Sequence, residues 1–178
     1  VTISAGTGEI VMTNGALIDA GTGLIDMDAN ANITLGALLT TTEVQVTSVN
    51  GAIVDGGDDE GGDINAATAA LRAETGIGTD ANPLETVADP SATTLTVGAT
   101  TDSGDIALSN TGALIVGTVD GLSGAMVEDS ANDNGGADNI TLAASSPLTV
   151  TTAVVNNDGG DITLTSFKGA MHGYELVL

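Results

Sequence analysis

Residues 148–166 read LTVTTAVVNNDGGDITLTS, and residues 95–110 read LTVGATTDSGDIALSN. The two align from end to end if three residues are inserted in the turn of the longer one. Each opens on Leu-Thr-Val, crosses a turn of Asp, Asn, Ser or Gly, and resumes with Gly-Asp-Ile. In both runs aliphatic residues recur two apart with a polar residue between them, which is the side-chain period of a β-strand with one face buried.

The same phrase recurs outward from this pair. It appears as Gly8-Glu9-Ile10-Val11-Met12, Asn32-Ile33-Thr34-Leu35, Gly62-Asp63-Ile64-Asn65-Ala66 and Asn139-Ile140-Thr141-Leu142. A second phrase follows several of these: Gly15-Ala16-Leu17-Ile18, Gly51-Ala52-Ile53-Val54, Gly112-Ala113-Leu114-Ile115 and Gly169-Ala170-Met171. Residues 8–21 match residues 104–117 in the same way, with Thr111 as the one extra residue. Self-similarity with insertions confined to turns is the pattern of a stacked repeat architecture. A β-sandwich has strands of this length, but it builds its core on aromatics and does not repeat internally. A parallel β-solenoid presents the same inward aliphatics on every coil and tolerates irregular turns. The expected fold is therefore all-β, a parallel β-solenoid. At about 20 residues per coil and about 4.8 Å per step it has roughly eight coils and is roughly 40 Å long.

Composition agrees. Aromatics make up 1% of the 178 residues, so the core has to be assembled from Val, Ile, Leu, Ala and Met. The 24 acidic residues against two cations, Arg72 and Lys168, give a net charge of −22, yet 42% of the chain is hydrophobic. Acidic disordered segments lack that apolar share. Two cations cannot neutralise a run of phosphates, so no nucleic-acid partner is expected. Anionic membrane surfaces would repel the chain, and no apolar run nears the roughly 20 residues of a spanning helix, so no membrane insertion is expected. Without cysteine there is no disulfide, thiolate metal site or cysteine nucleophile.

One domain spanning 1–178 is expected. Residues 75–91, broken by Pro83 and Pro90, read as a loop-rich insertion. Residues 65–74 are alanine-rich and read as an irregular coil, with a short helix as the alternative. Residues 167–178 lose the repeat and read as a non-repetitive tail. A chain that opens on Val1 is expected to be a processed product or a fragment.

Phrases such as LTVTTAVVNNDGGDITLTS, VDGLSGAM (119–126) and LRAETGIGTDANPLET (71–86) resemble the long bacterial β-strand-repeat surface proteins, in the style of filamentous haemagglutinins and autotransporter passenger domains. The resemblance runs from about Gly8 to Ser166. It implies a right-handed parallel β-helix, export to the cell exterior, and a role in adhesion, matrix or filament formation. It carries over no catalytic residues.

The acidic turns are the candidate metal sites. Residues 55–63 (DGGDDEGGD) supply Asp55, Asp58, Asp59, Glu60 and Asp63; residues 128–139 supply Asp129, Asp133 and Asp138; residues 156–161 supply Asp158 and Asp161. Calcium takes six to eight oxygens, and glycine-rich turns can wrap carboxylates and carbonyls around it. None of these turns matches the EF-hand loop or the glycine-rich nonapeptide calcium repeat. Two readings stand: calcium sites, or solvated turns in which Asp and Asn satisfy backbone donors.

No enzyme is expected. A site for acidic sugars needs cations, His172 has no partner motif, and nucleophile elbows, P-loops and dinucleotide fingerprints are absent. Threonine runs such as 40–42 suit outward strand positions, and their spacing is too irregular for an ice-binding face. Apolar strands at both termini, with no capping helix, point to end-to-end stacking or to a piece of a longer array. The expected function is a non-enzymatic extracellular filament or matrix unit that partners with itself. The alternative is an adhesin-type stalk that presents residues 75–91 to a surface carbohydrate or other ligand.

Overall fold

A computed structural model describes residues 1–57, 61–129 and 136–167, together with the backbone of His172–Gly173 and Leu176–Val177. The chain winds as a parallel β-solenoid, and among the described residues it contains no helix. One face runs Thr2–Ala5, Ile25–Ala29, Glu43–Ser48, Thr68–Ala73, Thr94–Thr101, each strand parallel to the next. Beyond Thr94–Thr101 that face divides. Ala113–Val116 pairs with its first half and Ala125–Val127 with its second, and Leu148–Val150 and Val154–Asn156 continue the two branches. The opposite face runs Leu17–Asp19, Ala37–Leu39, Ile64–Ala66, Leu84–Ala88, Ile106–Thr111, Ile140–Ala144, Ile162–Ser166. A third set, Ile10–Val11, Ile33–Leu35 and Ile53–Asp55, lies between them.

Register explains why the repeat is needed. Ile10, Ile33, Ile53, Ile77, Ile106, Ile140 and Ile162 stack in one column, each opposite the next. All but the two terminal members are fully buried. At a spacing of about 4.8 Å, a β-branched side chain with one preferred rotamer nests on its own copy in the next coil. The facing sheet contributes columns of the same kind, such as Ile25, Val44, Ala69, Val97 and Val116. Two sheets about 10 Å apart are filled by aliphatics alone, so large aromatics are not required.

Several expectations change in three dimensions. Residues 65–74 form strands, Ile64–Ala66 and Thr68–Ala73, and not the alternative helix. Parallel neighbours on both sides satisfy the backbone of Thr68–Ala73, which overrides the helix propensity of alanine. The stretch expected as a loop-rich insertion, 75–91, is half built into the stack. Ile77 joins the isoleucine column, and Leu84–Ala88 pairs with Ile64–Ala66 and Ile106–Thr111. Past Phe167 the backbone still adds strands, His172–Gly173 on Leu148–Val150 and Leu176–Val177 on Val154–Asn156.

The second repeated phrase does not keep one place in the coil. Leu17-Ile18 lies on the second face, Ile53-Val54 in the isoleucine column, and Leu114-Ile115 on the first face. The match of 95–110 to 148–166 holds, with Leu95, Leu114 and Leu148 in one column and Ile106, Ile140 and Ile162 in another. The match of 8–21 to 104–117 holds only for the first strand.

One antiparallel excursion crosses the first face. Thr118–Val119 pairs with Leu122–Ser123, and the hairpin buries Val119 and Ala70 on the outer side of the sheet. Arg72 pins it: its guanidinium donates to the Asp120 carboxylate at 2.8 Å and to the Asp120 carbonyl at 2.5 Å. Asp120 sits at φ 46, the left-handed conformation a tight hairpin demands.

Candidate functional site: a buried acidic cluster at a solenoid corner

The chain leaves the sheet after Ile53–Asp55 and returns at Ile64–Ala66, so Asp55 and Asp63 stand at the two ends of one corner loop. A side chain at Gly56 would run into the Leu35 carbonyl, and one at Gly62 (φ +140) would come within 2.8 Å of Val87.

Asp55 takes the register position that Leu35 holds one coil earlier, a core-facing position, and is 8% exposed. Its Oδ1 accepts a hydrogen bond from Gly57 N–H at 2.7 Å, while Oδ2 is buried without a partner. Asp63 is 1% exposed and links three coils. Its carbonyl accepts from Leu38 N–H at 2.8 Å, its Oδ2 accepts from Glu85 N–H at 2.8 Å, and its Oδ1 has no partner. Glu85, half-buried on the strand Leu84–Ala88, brings a third carboxylate from the next coil. One oxygen from each of Asp55, Asp63 and Glu85 lies within 4.8 Å of the others.

Burial pushes the Asp63 carboxyl up to about 8; the hydrogen bond from the Glu85 backbone opposes this, and the adjacent Asp55 adds to it. Asn65 Oδ1, on the same strand as Ile64, is also buried without a partner, whereas other buried polar side chains are paired. Thr86 Oγ1 donates to Asn110 Oδ1 at 3.0 Å, Asn110 Nδ2 to the Gly112 carbonyl at 3.0 Å, and Thr101 Oγ1 to the Gly104 carbonyl at 3.0 Å. Of the two cations, Arg72 is engaged with Asp120, and Lys168 lies outside the described residues. Such a pocket of carboxylates holds either a shared proton or a cation. It is closed to a polymeric substrate, since Asp63 is out of reach of solvent.

The other sequence candidates are spread along the body. Asp138 and Asp158 bind backbone in neighbouring coils: Asp138 Oδ2 accepts from Gly104 N–H at 2.5 Å, and Asp158 Oδ2 from Asp138 N–H at 2.6 Å. Asp105 does the same for Asn139 N–H at 2.7 Å. Asp129 and Asp161 are exposed. Asp58, Asp59, Glu60 and Asp133 lie outside the described residues. Sequence reasoning missed Glu85, and its spacing of 22 residues from Asp63 becomes meaningful only once the coil length is known. A second acidic contact lies on the first face, where a hydrogen bond with Asp102, partial burial and the Asp102 charge raise the Glu74 carboxyl.

Fold and site together describe a parallel β-solenoid with an acidic composition and, among the described residues, a buried carboxylate cluster. No protein-family model matches the chain, and neither a curated protein nor a solved structure matches it.

Proposed function

We propose that the chain is a non-enzymatic subunit or segment of an extracellular filament or matrix, assembling end to end through open solenoid edges. The observation that carries this reading is the state of the first coil. Ile3, Ile10 and Ile18 face the core but are only partly buried, whereas their register partners Met27, Ile33 and Leu38 one coil on are fully buried. At the other end Ile162 and Leu164 are partly exposed beside the fully buried Ile140 and Leu142. A further coil stacked on either layer buries these side chains and pairs the open backbone edge, at about 25 cal/mol for each Å² of apolar surface covered. The resemblance to bacterial surface repeat proteins and the acidic coat support the extracellular placement.

Negative-stain electron microscopy of the purified chain tests the reading. Fibres one solenoid wide are expected. Dispersed monomers at every concentration, or monomers that bind carbohydrate without assembling, would overturn it in favour of a ligand-presenting stalk.

A further inference from the structure

We infer that Asp55, Asp63 and Glu85 form a buried divalent-cation site, with calcium as its ion, which ties Asp55 and Asp63 to each other and to the Leu84–Ala88 strand of the next coil. This inference rests on the fold and on the corner geometry, and is independent of the filament reading.

Three observations converge. First, Asp55 and Asp63 are both more than nine-tenths buried, and each keeps one buried oxygen without a hydrogen-bond partner. Buried acceptors left without a donor are rare in native cores because each forfeits its hydration. Thr86 and Asn110, on the same face, do satisfy one another. Second, the three donor oxygens lie within 4.8 Å of one another. Two ligands on one calcium, each at about 2.4 Å, are at most about 4.8 Å apart, and every pair among the three meets that bound. Third, the donors come from the two ends of one loop and from the next coil, held by Glu85 N–H to Asp63 and Gly57 N–H to Asp55. Backbone N–H groups fix the Asp55 and Asp63 carboxylates in place, and each keeps its second oxygen unpartnered.

The donor set also selects the ion. It contains only oxygens, with no imidazole or thiolate, so it suits a hard cation and not zinc or copper. Magnesium holds tightly to a near-octahedral water shell, whereas calcium accepts an irregular ring of carboxylates with carbonyls or waters completing it. A cation replaces the proton that three crowded carboxylates would otherwise share. The corner loop, which leaves the sheet between Asp55 and Asp63, is then tied down at its base.

The test uses the full chain, stripped with a chelator and dialysed at pH 7.5, then titrated with CaCl2 or MgCl2 while melting temperature and heat of binding are read. One saturable calcium site per chain is expected, with a rise in melting temperature. Asp63→Asn should weaken calcium binding at least about tenfold, and should fold readily because an amide replaces a buried carboxyl. Glu85→Gln, at a half-buried position, should weaken it too, and Asp161→Asn, on an exposed turn, should leave it unchanged. A melting temperature indifferent to calcium would overturn the site and assign the pocket to a shared proton. Binding that survives both Asp63→Asn and Glu85→Gln would also overturn it and move the ion to the surface turns. Equal responses to magnesium and calcium would overturn the choice of ion.

Discussion

The Asp63 carboxyl holds its proton to about pH 8 in the folded chain, against an ordinary value of 3.8, chiefly because burial penalises its charged form. The direction sets a pH dependence for the metal-free protein. Between about pH 4 and pH 8 the folded state keeps a proton that the unfolded state has released. The stability tied to that proton is therefore complete below about pH 4 and is lost as pH rises through about 8. Urea unfolding in chelator at pH 5, 6.5 and 8 should show stability falling by up to about 1.4 kcal/mol per pH unit. Asp63→Asn should flatten the slope across that window, and a flat wild-type profile would contradict the assignment. Two of the three carboxylates of this site were legible as sequence: Asp55 and Asp63 stand out as the ends of a glycine-rich acidic turn. Glu85 carried no such mark, because only the pairing of Leu84–Ala88 with Ile64–Ala66 brings it there.

At the scale of the element, the unit of stability is the column and not the strand. Many strands are only two or three residues long and would not persist alone. What holds them is a side chain repeated in register through the stack. Ile106 is fully buried between Ile77 and Ile140, while Ile10 has a neighbour on one side only, Ile33. Ile106→Ala is expected to cost about 2–5 kcal/mol, and Ile10→Ala clearly less, because the end of the column can relax and is already wet. Chemical denaturation of the two variants side by side checks this; equal costs would mean that the columns do not share load in this way. The strands themselves were readable from alternation. Their placement was less so, since the Gly-Ala-aliphatic phrase occupies three different positions around the coil. Alternation specifies a strand with one apolar face, but it does not say which wall of the solenoid that strand joins. Loop lengths decide that, as when the corner excursion at 56–62 shifts Ile64 out of the isoleucine column and opposite Leu38 and Thr86.

Across the whole molecule two forces oppose each other. Ile3, Ile10 and Ile18 in the first coil are only partly buried and would gain from a further layer, while a net charge of −22 favours keeping copies apart. Among the described residues many acidic side chains lie on exposed turns, and charge is felt locally: at Asp26, partial burial with the charges of Asp28 and Asp120 raises the carboxyl above its ordinary value. Screening weakens the repulsion and leaves the apolar term intact, because the Debye length falls from about 30 Å at 0.01 M salt to about 8 Å at 0.15 M. If copies stack end to end as proposed, light scattering should report a larger mean mass at 0.3 M NaCl than at 0.01 M. A mass that falls with added salt would show that charge contacts, and not apolar coil faces, join the copies.

The sequence by itself determined that this chain forms short β-strands with one aliphatic face, that they repeat, and that acid collects in the turns. Those properties follow from local periodicity and from the chemistry of Gly, Asp and Asn, which act within a few residues. Tertiary structure alone decided which strands share a wall, that residues 75–91 carry a strand of the stack, and that the Arg72 side chain pins a hairpin to the first face. It also decided that two of the many turn carboxylates are sealed inside the body beside a third. Those outcomes depend on register between coils some 20 residues apart, and register is set by backbone pairing along the whole stack.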